Sequence, residues 1–304
     1  MRKKLLFVFN PHSGRAQIKN NLLSIIDTFT KSGYEVTAFP TQARLDCYNI
    51  IKENGPFFDL AVCCGGDGTL NETVKGLMEL VHPPLLGYIP AGTTNDFAYS
   101  LNLPKDMQKA AEMIVSGIPF ACDIGALNGS YFTYVAAFGA FTEVPYQTPQ
   151  QTKNFLGHLA YIIEGIKRLP SIKSYRLKIE HDGKVVEDNF VLALITNSVS
   201  IGGYRNLSEL GIVLDDGLFE VTLIRTPKGP FDLQNILTSI IKQDLSSPYI
   251  YSIKTSAIKI SCDEPVGWTL DGESGGDFKE AQIENNKQAV KIIIPRPQAV
   301  LEKL

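Results

Sequence analysis

The residues best suited to chemistry are acids set in glycine turns. Residues 60–72 read LAVCCGGDGTLNE. The apolar run Leu60–Cys64 predicts a strand buried on both faces. Gly65, Gly66 and Gly68 then open backbone angles closed to other residues, with Asp67 between them. Thr69 reads as the N-cap of a helix over Leu70–Leu80, and Glu72 stands where a capping box would put it. A strand, a glycine turn and a helix N-terminus together favour phosphate, through exposed amides and the helix dipole. An acid there repels phosphate unless a cation sits between them, so Asp67 reads as working through Mg²⁺. The plainer reading makes Asp67 the cap of a tight turn.

Two further loops have the same character. PAGTTNDFA (Pro90–Ala98) carries Thr93, Asn95 and Asp96, although Asn95-Asp96 would equally well start a helix. NPHSGR (Asn10–Arg15) carries Asn10, Pro11, His12, Ser13 and Gly14. Ser13 has no partner base and suits a hydrogen bond to phosphate; His12 either touches phosphate or is solvated. Late in the chain, WTLDGE (Trp268–Glu273) offers Asp271 and Glu273. A carboxylate at a strand end can take a hydroxyl proton, but Asp-Gly is also a common hairpin turn. VLDDGL (Val213–Leu218) reads as another acidic turn.

The elements that must position these loops follow from the apolar pattern. Strands at Lys4–Phe9, Tyr34–Phe39, Leu60–Cys64 and Leu85–Ile89 alternate with helices, one of them over about Ala43–Glu53. This implies a mainly parallel sheet. The three glycine loops end strands at one edge, where open α/β sheets bind ligands. Near Cys122 the pattern changes to strands joined by Asn128-Gly129 and Asp182-Gly183 hairpins, that is, an antiparallel β-rich domain. Its strands are expected at Tyr131–Ala136, Tyr175–Glu180, Lys184–Thr196, Phe219–Arg225, Ile250–Cys262, Val266–Leu270, Lys279–Glu284 and Ala289–Ile294. A core helix over Lys153–Leu169 and a helix near Pro230–Lys242 interrupt them. The expected division is 1–123 and 124–294, with 295–304 able to return to the first domain. Phe138, Phe141 and Tyr146 could line a lipid pocket, though most aromatics in such a domain are core. Lys167, Arg168, Lys173, Arg176 and Lys178 form a loose basic cluster, read as a solvated face or an anionic-headgroup contact.

With 304 residues, the chain is long enough for two domains, and a net charge of −3 argues against a sizeable nucleic-acid surface. The five cysteines lack metal-ligand spacing and read as reduced core thiols of a cytosolic protein. The start, MRKKLLFVF, suits a first strand better than a signal peptide. No run approaches the ~20 apolar residues that span a bilayer, so membrane contact would be peripheral.

In order, NPHSG, GGDGTLNE, GTTNDFA and WTLDGE resemble the diacylglycerol kinase catalytic-domain family, which includes sphingosine, ceramide and bacterial soluble lipid kinases. GGDGT alone is shared with NAD kinases and phosphofructokinases; the ordered set is more specific. The resemblance implies an α/β N-terminal domain with a mainly parallel, NAD-kinase-like sheet and a mostly antiparallel β-rich C-terminal domain. It implies transfer of the ATP γ-phosphoryl group to a lipid hydroxyl with Mg²⁺, diacylglycerol giving phosphatidic acid. It matches nucleotide contacts to Asn10, Pro11, His12, Ser13, Gly14, Thr41, Gly65, Gly66, Asp67, Gly68, Thr69, Asn71, Glu72, Thr93 and Asn95. Asp67 and Asp96 match a Mg²⁺–water network. A structural Mg²⁺ is matched to the Asp216 side chain and the Val213 and Leu218 carbonyls. Asp271 and Glu273 match the catalytic acids; the base is one of them, with Asp271 favoured. Tyr99 stands where the family often has a basic residue, and ELGIV (Glu209–Val213) replaces its usual proline. The implied setting is cytoplasmic and peripherally membrane-associated, with room for a homodimer through the β-rich domain. The alternatives are a kinase of a soluble acceptor such as NAD, and a nucleotide-binding regulatory module without turnover.

Overall fold

The computed structural model describes residues 2–139, 173–198, 213–242 and 244–296. It divides into two compact units, Met1–Cys122 with Gln288–Leu304, and Asp123–Lys287.

The first unit alternates strand and helix: β1 (Lys3–Phe9), α1 (Ile18–Lys31), β2 (Tyr34–Pro40), α2 (Asp46–Asn54), β3 (Leu60–Gly65), α3 (Asp67–Met78), β4 (Leu85–Pro90), α4 (Asp96–Ser100) and α5 (Met107–Ser116). β1 pairs in parallel with β2 on one side and β3 on the other, and β3 pairs in parallel with β4. β3 is buried at every residue, as its unbroken apolar run requires of a strand covered on both faces. α1 lays Ile18, Ile25 and Phe29 into the core, and Phe29 meets Phe7 edge to face. Cys47, Cys63 and Cys64 are free thiols in this core, and burial pushes Cys47 and Cys64 up to about 12. They are inert packing groups at neutral pH.

The chain leaves this unit along β5 (Ile118–Leu127). β6 (Ser130–Phe132), β7 (Val135–Gly139), β8 (Tyr175–His181), β9 (Lys184–Thr196), β10 (Phe219–Arg225), α6 (Pro230–Lys242), β11 (Ile250–Thr255), β12 (Ala257–Leu270) and β13 (Glu273–Ile294) follow. In the second unit β7 to β12 form antiparallel pairs, β11–β10–β9–β7–β12, with β8 against β9 and β12. Asn128-Gly129 and Asp182-Gly183 take positive φ at both turn residues, as two-residue hairpins demand. α6 presses Ile236 onto Val191, Leu192 and Ile224.

Several expected elements move. The strand expected over Tyr131–Ala136 breaks at Thr133-Tyr134, whose groups are used elsewhere. The strands expected apart at Lys279–Glu284 and Ala289–Ile294 fuse into β13. Its end pairs with β4 at Ile292–Leu86, so the returning segment begins at Gln288, ahead of residue 295. The expected helix over Lys153–Leu169, with Phe141, Tyr146, Lys167 and Arg168, lies outside the described residues. Lys173, Arg176 and Lys178 each pair with an acid, Glu264, Glu187 and Glu180, which balances their charge locally. Phe138 is fully buried, edge-on to Trp268 and Tyr175, and belongs to the core. Phe138→Ala should therefore lower stability by about 3–5 kcal/mol, read from the urea-unfolding midpoint at unchanged slope.

Candidate active site

In the first unit the three glycine loops come together backbone to backbone. Gly14 has φ +54°, and a Cβ there would collide with the Ala91 carbonyl oxygen. A Cβ on Gly92 would stand 2.6 Å from Gly66 Cα. Only residues without side chains allow these approaches. Hydrogen bonds continue the contact: Asn10 N–H donates to Cys64 O at 2.9 Å, and Ala91 N–H donates to Gly65 O at 2.7 Å.

α3 begins at Asp67, with Gly66 in extended conformation as its N-cap. The N-cap expected at Thr69 is thus displaced: Thr69 is buried inside the first turn, and its carbonyl accepts from the Thr73 hydroxyl. The helix starts early because a glycine before an acid is itself a good entry. The first-turn amides of α3 have no intrahelical acceptor.

Asp67 Oδ2 accepts the Asn95 N–H at 2.9 Å, tying the second loop to the third. Asn95 has φ 53° and caps α4; its Oδ1 accepts from Gly92 N–H at 2.9 Å. Asp96 follows it and is buried. A pocket of ≈ 420 Å³ lies here, within the range that holds small ligands. Asn10, His12, Ser13, Thr41, Gly66, Gly68, Thr69 and Glu72 border it, joined by Gln42, Ala43 and Arg44, which the motifs do not mark. Thr93 stands in the same loop as Gly92 and Asn95. Glu72 makes no capping box; its Oε1 accepts the Leu45 N–H at 2.9 Å.

In the second unit Asp271-Gly272 is the β12–β13 turn, with φ 51° and 84°. Asp271 is buried, and its carboxylate accepts four hydrogen bonds. Oδ2 takes the Thr133 N–H at 2.6 Å and the Thr133 hydroxyl at 2.7 Å. Oδ1 takes the Tyr134 and Val135 N–H groups, each at 3.0 Å. A carboxylate offers about four lone-pair sites, so the Asp271 oxygens are saturated. The expectation that favours Asp271 as base meets this fact directly. Glu273, two residues on, is exposed at the start of β13.

Asp216 Oδ1 accepts the Leu218 N–H at 2.9 Å, and Val213 is exposed at the loop's start. Glu220 lies just beyond, its Oε1 2.8 Å from Lys254 Nζ, while its buried Oε2 meets no hydrogen-bond donor among the described residues. Burial raises the Glu220 carboxyl, Lys254 opposes this, and the Asp216 charge adds to the rise. Asn197, fully buried, also leaves Oδ1 without a donor among the described residues. Among the described residues no three His, Cys, Asp or Glu side chains cluster as metal ligands. A slightly larger groove of ≈ 470 Å³ lies at the β8–β9 turn, away from the three loops, and two of its charges, Lys259 and Glu180, are paired.

Residues 4–127 match the diacylglycerol kinase catalytic domain, and residues 138–294 match the YegS C-terminal NAD kinase beta sandwich-like domain. The chain is 34% identical over 299 residues to a diacylglycerol kinase of Bacillus subtilis (strain 168), covering 98% of each. It is 36% identical over 301 residues to a diacylglycerol kinase of Staphylococcus aureus (strain MRSA252), covering 97% of this chain and 93% of the relative. A crystal structure titled a diacylglycerol kinase of Bacillus anthracis (strain Sterne) superposes with a TM-score of 0.81. The identity is 26%, with 97% of this chain and 98% of that one covered.

If the Asp271 carboxylate is a structural acceptor, Asp271→Asn places an amide NH₂ against N–H donors. Stability should fall by about 1–3 kcal/mol, measured by thermal unfolding; an unchanged midpoint would contradict the saturated geometry.

Proposed function

Because the chain belongs to the diacylglycerol kinase catalytic-domain family, we propose that it transfers the γ-phosphoryl group of ATP to the free hydroxyl of diacylglycerol, giving phosphatidic acid. The observation that carries this is the convergence of three glycine loops on the N-terminus of α3, beside a pocket of ligand size. Phosphoryl transfer needs positioning and charge neutralisation more than covalent help from the protein. Amides of the three loops hold the phosphates, and Thr41 borders the nucleotide. When bound, Mg²⁺ neutralises the developing phosphate charge. Asp67 and Asp96 would hold it through water, as a reluctantly dehydrated ion prefers.

In this reading the two acids of LDGE have different jobs. Asp271 fixes the turn, because its oxygens are already satisfied. Glu273 is exposed and receives the proton of the acceptor hydroxyl. A second Mg²⁺ at Val213, Asp216 and Leu218 fits the buried acceptors around that loop, Asn197 Oδ1 and Glu220 Oε2, which lack donors among the described residues. Its work there is structural.

Diacylglycerol resides in membranes, so the enzyme works at a membrane surface. No helix among the described residues is long and apolar enough to cross a membrane.

Phosphorylation of dispersed diacylglycerol, followed by mass spectrometry of the lipid, tests the assignment. Phosphatidic acid with equimolar ADP is expected, and NADP formation with no lipid product would overturn it. Glu273→Gln should cut kcat by about 10²–10⁴-fold with the melting temperature held. Mg²⁺ should raise the melting temperature of wild type by about 2–4 °C, and of Asp216→Ala by none of that, compared by calorimetry with chelator controls.

A further inference from the structure

The segment between β2 and α2 is held in an unusual conformation by one local carboxylate, Asp46, and by two contacts from distant parts of the chain. Thr41 N–H donates to Phe9 O at 2.9 Å. Gln42 and Ala43 N–H both donate to Asp46 Oδ2, at 2.6 and 2.9 Å. Leu45 then takes φ 67°, a left-handed geometry costly for a residue with a side chain. Its N–H donates to Glu72 Oε1 at 2.9 Å, across 27 residues of sequence. A costly backbone conformation persists where surrounding groups enforce it, and such sites gather around function.

Glu72 also borders the pocket, as do Thr41 and Arg44. A carboxylate beside a polyphosphate is repelled by it, so direct contact is a poor use of Glu72. Its charge is spent on a backbone N–H, where it makes a strong, charge-assisted bond. Arg44, carried by the same loop, supplies the opposite charge, and a guanidinium fork suits phosphate oxygens.

Building on the nucleotide reading above, we propose that Glu72 is a positioning residue. It acts through Leu45 to fix the 41–45 loop, and the loop brings Arg44 to the phosphates of ATP and Thr41 to the nucleotide.

The test uses the full chain with Mg-ATP and diacylglycerol, in wild type, Glu72→Ala, Glu72→Gln and Arg44→Ala. Kinetics are paired with amide hydrogen exchange at Leu45. Glu72→Ala should raise KM for ATP about tenfold or more, the worth of a charge-assisted bond, with kcat held within about threefold. Exchange at Leu45 should quicken in step. Glu72→Gln keeps an oxygen acceptor and should restore both, KM to within about threefold of wild type. Arg44→Ala, at an exposed side chain, should raise KM for ATP at nearly constant kcat with Leu45 still protected. A glutamine variant as impaired as alanine, with Leu45 still protected, would overturn the proposal, because the charge would then act directly on metal or nucleotide. An unchanged KM in Glu72→Ala or Arg44→Ala would overturn it too. A wild type that does not saturate with ATP would sink the nucleotide reading and this proposal together, whereas fast Leu45 exchange in wild type would sink this proposal alone.

Discussion

Close approach of bare backbone is the constraint on which the first unit depends. The loops after β1, β3 and β4 can meet only because Gly14, Gly66 and Gly92 offer no Cβ at the contact. Once they meet, they stand at one helix N-terminus, an arrangement that favours anions before any side chain is considered. Asp67 adds a cross-tie by accepting the Asn95 N–H, so the start of α3 and the third loop are fixed by one bond. The parallel pairing of β1, β3 and β4 is what delivers the three loops to the same edge.

The second unit solves a different problem. A hairpin tip is ordinarily a mobile place for an acid. Here the Asp271 carboxylate is gripped by Thr133, Tyr134 and Val135, in the gap between β6 and β7. The cost is an interrupted strand, and the return is a turn whose geometry is set by four hydrogen bonds. Rigidity at the turn is what gives Glu273, two residues later, a defined position. Acids in one short motif thus divide into one that is buried and held and one that is exposed.

Much of this was legible in the residues, and the exceptions have physical reasons. β3, α1 and the Asn128-Gly129 and Asp182-Gly183 turns follow from periodicity and turn chemistry that operate over a few residues. The convergence of the three loops could be expected because each follows a strand of the parallel sheet. The partner of Glu72 could not be found this way. Read locally, Glu72 completes a capping box with Thr69; in the fold it reaches Leu45, a tertiary contact that no neighbouring residue announces. Arg44 went unmarked for the same reason. The saturation of Asp271 was equally hidden, since its donors, three backbone amides and the Thr133 hydroxyl, lie 136 to 138 residues away. The single apolar stretch around Thr133 gave no hint that its amides were committed elsewhere. Fusion of the last strands into β13 was missed because polar residues such as Asn285 and Asn286 look like a break.

The central claim is that the three loops hold the phosphates of ATP. A crystal structure with a non-hydrolysable ATP analogue and Mg²⁺ addresses it most directly. The account predicts phosphate oxygens within hydrogen-bonding distance of amides in the loops after β1, β3 and β4, at the start of α3. Nucleotide bound away from these loops, or phosphates turned from the α3 N-terminus, would contradict it.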